Sequence, residues 1–218
     1  MKQTLADAIR MLEHAHIIDH GGHCSVRRDA HSFYINSGAS VRAALTAADI
    51  VAVDLDGRLV EGSARPPLEF HIHSEIYRAR TDVNAVMHTH PRWSTLLTMV
   101  GIPFEPVYGQ GALLGPIPVM DSPLSVNTKP LGEKIAATLG AGRAALIKAH
   151  GMVVVAGDIV ECFALAAYAE ENAHRQYLAL QIGKPYVFSD AEQQVCRQNL
   201  STPGLYKKTW DYYYSKLG

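Results

Sequence analysis

This chain is poor in cysteine, in net charge and in long apolar runs, and each shortage excludes a class of protein. Its three cysteines, Cys24, Cys162 and Cys196, are odd in number and widely spaced. That argues against a disulfide framework and for a reducing, cytoplasmic setting. A formal net charge of −1 over 218 residues leaves no basic footprint for nucleic acid or an anionic membrane. No apolar run approaches the roughly 20 residues of a membrane span. The opening "MKQTLADAIRMLEHAH" is amphipathic and turns polar at once, so it does not read as a signal peptide. Repeats, low-complexity stretches and a dividing linker are missing as well. The chain therefore reads as one domain over 1–218, with 48% apolar residues to build a core. What it has in excess is histidine, eleven in all.

Periodicity places these histidines on elements. Residues 2–18 read as a helix with Leu5, Ile9, Leu12 and Ile17 near one face. "GGHCSVRRDAHSFYINSG" reads as a glycine turn and a strand pair, and "DIVAVDLDGRLVEG" as a hairpin turning at Asp56-Gly57. A helix is predicted over 68–80, then a buried strand in "DVNAVMHTH", then a helix opened by Pro91. "PLGEKIAATLG" is a short helix stopped by Gly140, and "RAALIKAHGMVVVAG" is two strands about His150-Gly151. The longest helix starts at Asp158, with Glu161 completing a capping box and a seam of Cys162, Ala166, Ala169, Ala173, Tyr177 and Leu180. The tail from about 201, "STPGLYKKTWDYYYSKLG", reads as aromatic and irregular. Hairpins with helices between them predict an α/β fold, its sheet mixed and mainly antiparallel under helical cover.

The chemistry starts from "HTHP". Residues i and i+2 of a strand share a face, so His88 and His90 project side by side from the strand's end. His150 closes the strand "AALIKAH" just before a glycine, in a position much like that of His90. If the two strands are neighbours, three imidazoles converge at one sheet edge. Three neutral nitrogens suit Zn²⁺, Mn²⁺, Fe²⁺ or Co²⁺ and leave room for a substrate. Glu69, in "RPPLEFHIHSEIY", opens the helix behind the histidine strand. It is placed to ligate the metal or to act as a base once substrate arrives. An acid at a helix N-terminus is also favoured by the dipole alone.

The series "GGHCSVR", "INSG", "PPLEFHIHSEIYRAR", "HTHP" and "IKAHG" resembles, in order and spacing, the class II aldolase/adducin family over roughly residues 4–200. The resemblance implies an α/β/α sandwich around a mostly antiparallel sheet, in a homo-oligomer, usually a tetramer, with active sites between subunits. It implies one divalent metal per subunit on His88, His90 and His150, with Glu69 as the acid–base carboxylate. Such enzymes break or rearrange a bond beside a carbonyl by stabilising an enediolate on the metal. Adducin and other metal-free members lack the ligand set that this chain keeps. A second proton donor is expected at Tyr108, roughly where family aldolases carry a tyrosine.

Departures from the sugar-phosphate aldolases order the possible reactions. Those enzymes place two phosphate-binding serines before the glutamate, where this chain has "RPPLE". The usual asparagine of their G-N-x-S turn is His23 here. Ser25, Ser37, Gly38 and Arg65 remain to bind an organic carboxylate, Ser37-Gly38 through hydroxyl and backbone N–H groups. His73, four residues from Glu69 and so on its face, is placed to orient it or to take a departing carboxylate, with His71 beside the substrate. Phe70, Trp93 or a neighbouring subunit's tail is placed to cover a flat ring. The expected function is decarboxylation of a hydroxylated, aromatic or heteroaromatic acid through a metal-stabilised enolate. An aldolase acting on a hydroxy-ketone or sugar phosphate comes second, and a dehydratase or a metal-free interaction protein third.

Overall fold

Successive strand residues point to opposite faces of a sheet, and in this chain both faces are apolar. A computed structural model describes residues 1–217. The strands are β1 (His23–Arg27), β2 (Ser32–Asn36), β3 (Ile50–Asp54), β4 (Leu59–Glu61), β5 (Ala85–Thr89), β6 (Val119–Met120), β7 (Ala144–Ile147) and β8 (Gly151–Ala156). They form one eight-stranded sheet in the order β4-β3-β2-β1-β5-β8-β7-β6. Neighbours run antiparallel throughout, save the short parallel pair of β6 with β7. The helices are α1 (Lys2–His14), α2 (Phe70–Ala79), α3 (Arg92–Met99), α4 (Lys129–Leu139), α5 (Ile159–Ile182), α6 (Asp190–Leu200) and α7 (Pro203–Tyr214).

The two faces carry separate cores. Cys24, Met87 and Val154 look towards Leu5, Ile9 and Leu12 of α1 and Phe163 and Ala166 of α5. Their neighbours in sequence, Val86, Val153 and Val155, look the other way, with Phe33, towards Ile72 and Ile76 of α2 and Ile135 and Leu139 of α4. Covering both faces makes the expected α/β/α sandwich and explains why the strands read as apolar runs rather than clean alternation. No helix among the described residues is long and apolar enough to cross a membrane.

Three local expectations need correction. The first helix stops at His14, four residues early, because the chain turns through His16 at φ 57° before burying Ile17 and Ile18. The Asp158 carboxylate does accept the Glu161 N–H at 2.8 Å, but Glu161 pairs with Arg143 instead of returning to the cap. The tail is helical, not irregular. Thr202 caps α7, Pro203 opens it, and Trp210 and Tyr213 lie edge-on to Phe163 with centroids 5.6 and 5.3 Å away. The burying face is Tyr206, Trp210 and Tyr213, a helical spacing hidden among tyrosines that face outward. On α5 the seam is buried from Cys162 to Ala173, while Tyr177 is half-buried and Leu180 is exposed.

Candidate metal centre and active site

The antiparallel registers bring distant histidines to one end of the sheet. His88 sits inside β5 directly across from His23 of β1, and Thr89 pairs with Met152 near the start of β8. The strands carrying His88 and His150 are not neighbours, since β8 lies between β5 and β7. Convergence comes instead from the β7–β8 turn. His150 belongs to that turn, which Ala149 makes possible by taking φ 52° and donating its N–H to Thr98 Oγ1 at 2.8 Å. Gly151 follows, packed against the ends of β5 and both of its histidines.

The ligand-type atoms of Glu69, His88, His90 and His150 all lie within 4.8 Å of one another. His88 Nδ1 lies 3.2 Å from the Met152 carbonyl and His90 Nδ1 lies 2.7 Å from Asp19 Oδ1. Both partners are acceptors, so both Nδ1 atoms donate and the Nε2 lone pairs are left bare, as metal ligation requires. Those two Nε2 atoms are 3.2 Å apart. A tetrahedral cation with Zn–N bonds of ~2.1 Å spaces its ligands by about 3.4 Å. Glu69 Oε2 lies 3.5 Å from His88 Nε2, and Oε1 lies 3.7 Å from His150 Nε2. The residues present therefore fit a divalent transition metal.

Glu69 occupies the position before α2, beside the cluster, with its side chain free of any capping bond, and Pro66 and Pro67 stiffen the approach. Its Oε1 accepts the Val126 N–H at 2.7 Å and the Ser125 hydroxyl at 2.9 Å. Burial alone would raise its pKa, but His23, His88 and the Val126 N–H together hold it below the ordinary carboxylate range. Burial pushes His88 down to about 3, so that ring is neutral at physiological pH. A cavity of about 360 Å³ opens beside the carboxylate, lined in part by His20, His23, Gly38, Arg42, Pro66 and Pro67.

The other predicted residues are spread more widely. Gly38 lines the cavity, and Ser37, beside it, is buried with its backbone bonded to Asp49 and Ser40. Ser25 and His73 are fully buried behind His23 and bonded to each other. Arg65 is exposed and offers its carbonyl to the Gly38 N–H. His71 is half-buried against the Phe70 ring, and Phe70 itself packs over Gly57. Trp93 stacks on His174 of α5 at 4.3 Å. Tyr108 also belongs with α5. Its N–H donates to Asn172 and its ring lies under the Arg175 guanidinium at 4.1 Å. Asp19, Ser125, Val126 and Arg42 were missed by sequence reasoning. Asp19 in "IIDHGG" offered a weak signal, a carboxylate before paired glycines, and the others offered none.

A helix-covered sheet carries, at a strand end, a three-histidine, one-glutamate cluster of the kind that can hold a metal ion. Residues 3–177 match the family model described as Class II Aldolase and Adducin N-terminal domain, and the chain belongs to that family. It is an enzyme of the class II aldolase type, a lyase; such aldolases use a divalent metal, and the cluster can bind one. Among curated relatives, an L-fuculose phosphate aldolase from Methanocaldococcus jannaschii is 28% identical, covering 84% of this chain and 98% of its own. A 3,4-dihydroxyphthalate decarboxylase from Arthrobacter keyseri is 30% identical, over 72% of this chain and 70% of its own. Among solved structures, an L-fuculose 1-phosphate aldolase superposes with a TM-score of 0.84 at 26% identity, covering 92% of this chain and 96% of its own.

Proposed function

We propose that the protein decarboxylates a hydroxylated carboxylic acid, aromatic or heteroaromatic, with the hydroxyl ortho to the carboxylate that leaves. The observation that carries this reading is the wall beside Glu69. Pro66 and Pro67 line the cavity there and have no N–H or hydroxyl to give. A phosphate finds few donors on such a wall, whereas a flat acid needs fewer. The Gly38 N–H is already given to the Arg65 carbonyl, so His20 and Arg42 are left for a single carboxylate. Arg42 is already bonded to the Gly22 carbonyl and Ser40, so it acts mainly through its charge. One relative named above is a decarboxylase, among relatives that are mostly sugar-phosphate aldolases.

His88, His90 and His150 would hold a divalent cation, whose Lewis acidity accepts charge released by the breaking carbon–carbon bond and is worth several kcal/mol. Glu69, ionised at rest and steadied through Oε1, takes the substrate's hydroxyl proton on Oε2. It returns that proton to the carbon that loses CO₂, and the phenolate regains one from solvent. Tyr108 packs against Asn172 and Arg175 of α5 in its own chain, so its proton-donor role is assigned to the site of a second copy of the chain. That fits a homo-oligomer with shared sites.

A specific observation favours a second reading, an aldolase acting on a short sugar phosphate: the fuculose phosphate aldolase is matched over 98% of its length. Metal-loaded protein incubated with 3,4-dihydroxyphthalate and, separately, with L-fuculose 1-phosphate decides between them. CO₂ release from the first supports decarboxylation, and aldehyde release from the second overturns it. Glu69→Gln should keep its metal and lose turnover. Full activity in that variant would move proton transfer to Tyr108 or a water.

A further inference from the structure

Behind Glu69 the buried side chains form an unbroken line. Residues 23 and 25 share one face of β1, and 69, 73 and 77 recur every fourth residue along α2, so the two sets interleave. His23 Nδ1 is 2.6 Å from His73 Nε2, His73 Nδ1 is 2.6 Å from Ser25 Oγ, and Ser25 Oγ is 2.8 Å from the Tyr77 hydroxyl. At the other end His23 Nε2 is buried without a hydrogen-bond partner and faces Glu69 Oε2 at 3.6 Å.

The line has one favourable direction. Among the described residues, Ser25 is the sole hydrogen-bond partner of the Tyr77 hydroxyl, which is buried. It must therefore donate, because a buried O–H left unpaired costs about 1–3 kcal/mol. Ser25 then donates to His73 Nδ1, and His73 donates from Nε2 to His23 Nδ1. His23 is left with its proton on Nε2, towards Glu69. The opposite direction would strand the phenol hydrogen and turn a bare lone pair onto a carboxylate. In this direction each ring accepts at Nδ1 and keeps its hydrogen on Nε2, so each carries a single proton. The line also ends at a buried phenol, so it has no route for drawing protons from solvent.

We propose that Tyr77, Ser25 and His73 are positioning residues that fix His23 as an Nε2–H donor to Oε2 of Glu69, holding the oxygen that transfers the proton. This rests on the reading of Glu69 as the acid–base group. Its Oε1 is already taken by Val126 and Ser125, which leaves Oε2 to be held from this side. The 3.6 Å separation is a few tenths of an ångström beyond a hydrogen bond, a gap that catalytic pairs commonly show without substrate.

Long-range ¹H–¹⁵N spectra of the full chain labelled at histidine, metal-free and zinc-loaded, report each ring's tautomer. His23→Gln and His73→Gln spectra assign the two rings. Both should carry the proton on Nε2 in the wild type, and an Nδ1–H form should appear in Tyr77→Phe, which removes the terminal donor but keeps the ring. Tyr77→Phe should also retain its metal and its KM while kcat falls roughly ten-fold, as when a group that orients an active-site residue is lost. The activity arm uses whichever of the two compounds above is turned over. Nδ1–H rings in the wild type, unchanged tautomers in Tyr77→Phe, or an unchanged kcat there would each overturn the proposal. Failure of the lyase reading shows separately, as a Glu69→Gln variant that turns over normally; the tautomers still decide the direction of the line.

Discussion

Gly151→Ala removes no ligand and is nevertheless expected to empty the metal site. A methyl at residue 151 would lie 2.9 Å from His90 Cδ2 and 3.3 Å from His88 Cε1, and closer still to the Thr89 carbonyl oxygen. Comfortable carbon contacts are about 3.5–4.0 Å, so β8 must withdraw from β5 by roughly an ångström to clear the Thr89 carbonyl, which swinging the imidazoles alone would not do. Metal sites tolerate only about 0.2 Å in their bond lengths. Overpacking of this kind costs about 1–3 kcal/mol against a typical total stability of about 5–15 kcal/mol, so the variant should still fold. Its zinc affinity should fall about 100-fold, the upper end of what misaligned ligands cost. Competition against a chromophoric chelator measures the affinity, and a thermal melt of the metal-free protein checks the fold. Wild-type affinity in a normally folded Gly151→Ala would refute the claim that this glycine sets the approach of the β7–β8 turn to β5.

Three further outcomes are expected. His150→Ala should lose bound metal on dialysis, whereas Asp19→Asn should keep it with affinity lowered roughly 10–100-fold, since it only orients His90; metal analysis separates the two. Metal-free protein should weaken in acid. Burial depresses His88 to about 3 from an ordinary value of 6.5, so its contribution is complete above pH 6.5 and is lost as the unfolded chain takes up protons first. At about 1.4 kcal/mol per pH unit, this removes on the order of 3 kcal/mol by pH 4. Denaturant unfolding that is flat from pH 7 to pH 4 would contradict it. Trp210→Ala should cost about 2–3 kcal/mol by opening the contact with Phe163, read as a lower melting temperature; no change would mean that α7 packs too loosely to matter.

The fold was legible wherever one local rule decided the outcome. Asp56-Gly57 marked its hairpin, Gly140 ended α4, and the Asp158 carboxylate capped α5, because turn and cap chemistry act over a few residues. The tail was misread because its helical face of Tyr206, Trp210 and Tyr213 is apolar only by the standards of its neighbours, and packing against Phe163 selects it. Part of the site was legible for the same reason. An H-x-H on a strand puts His88 and His90 at one end whatever surrounds them, and Glu69 beside two prolines stood out as the start of a helix.

How those groups meet was decided by the sheet alone. Register across β1, β5 and β8 set His23 beside His88 and brought the His150 turn over the end of β5, past an intervening strand. No local pattern encodes which strands pair, because pairing is selected by burying both faces at once. The same holds for Asp19 behind His90, Ser125 and Val126 on Glu69, and Tyr77 at the end of its line, each distant in sequence from what it touches. The sequence by itself determined that His88, His90, His150 and Glu69 are candidates for one site, because residue type and local period suffice for that. Only the tertiary structure decided which lone pairs and protons face one another, because hydrogen-bond direction depends on partners that the folded chain brings together.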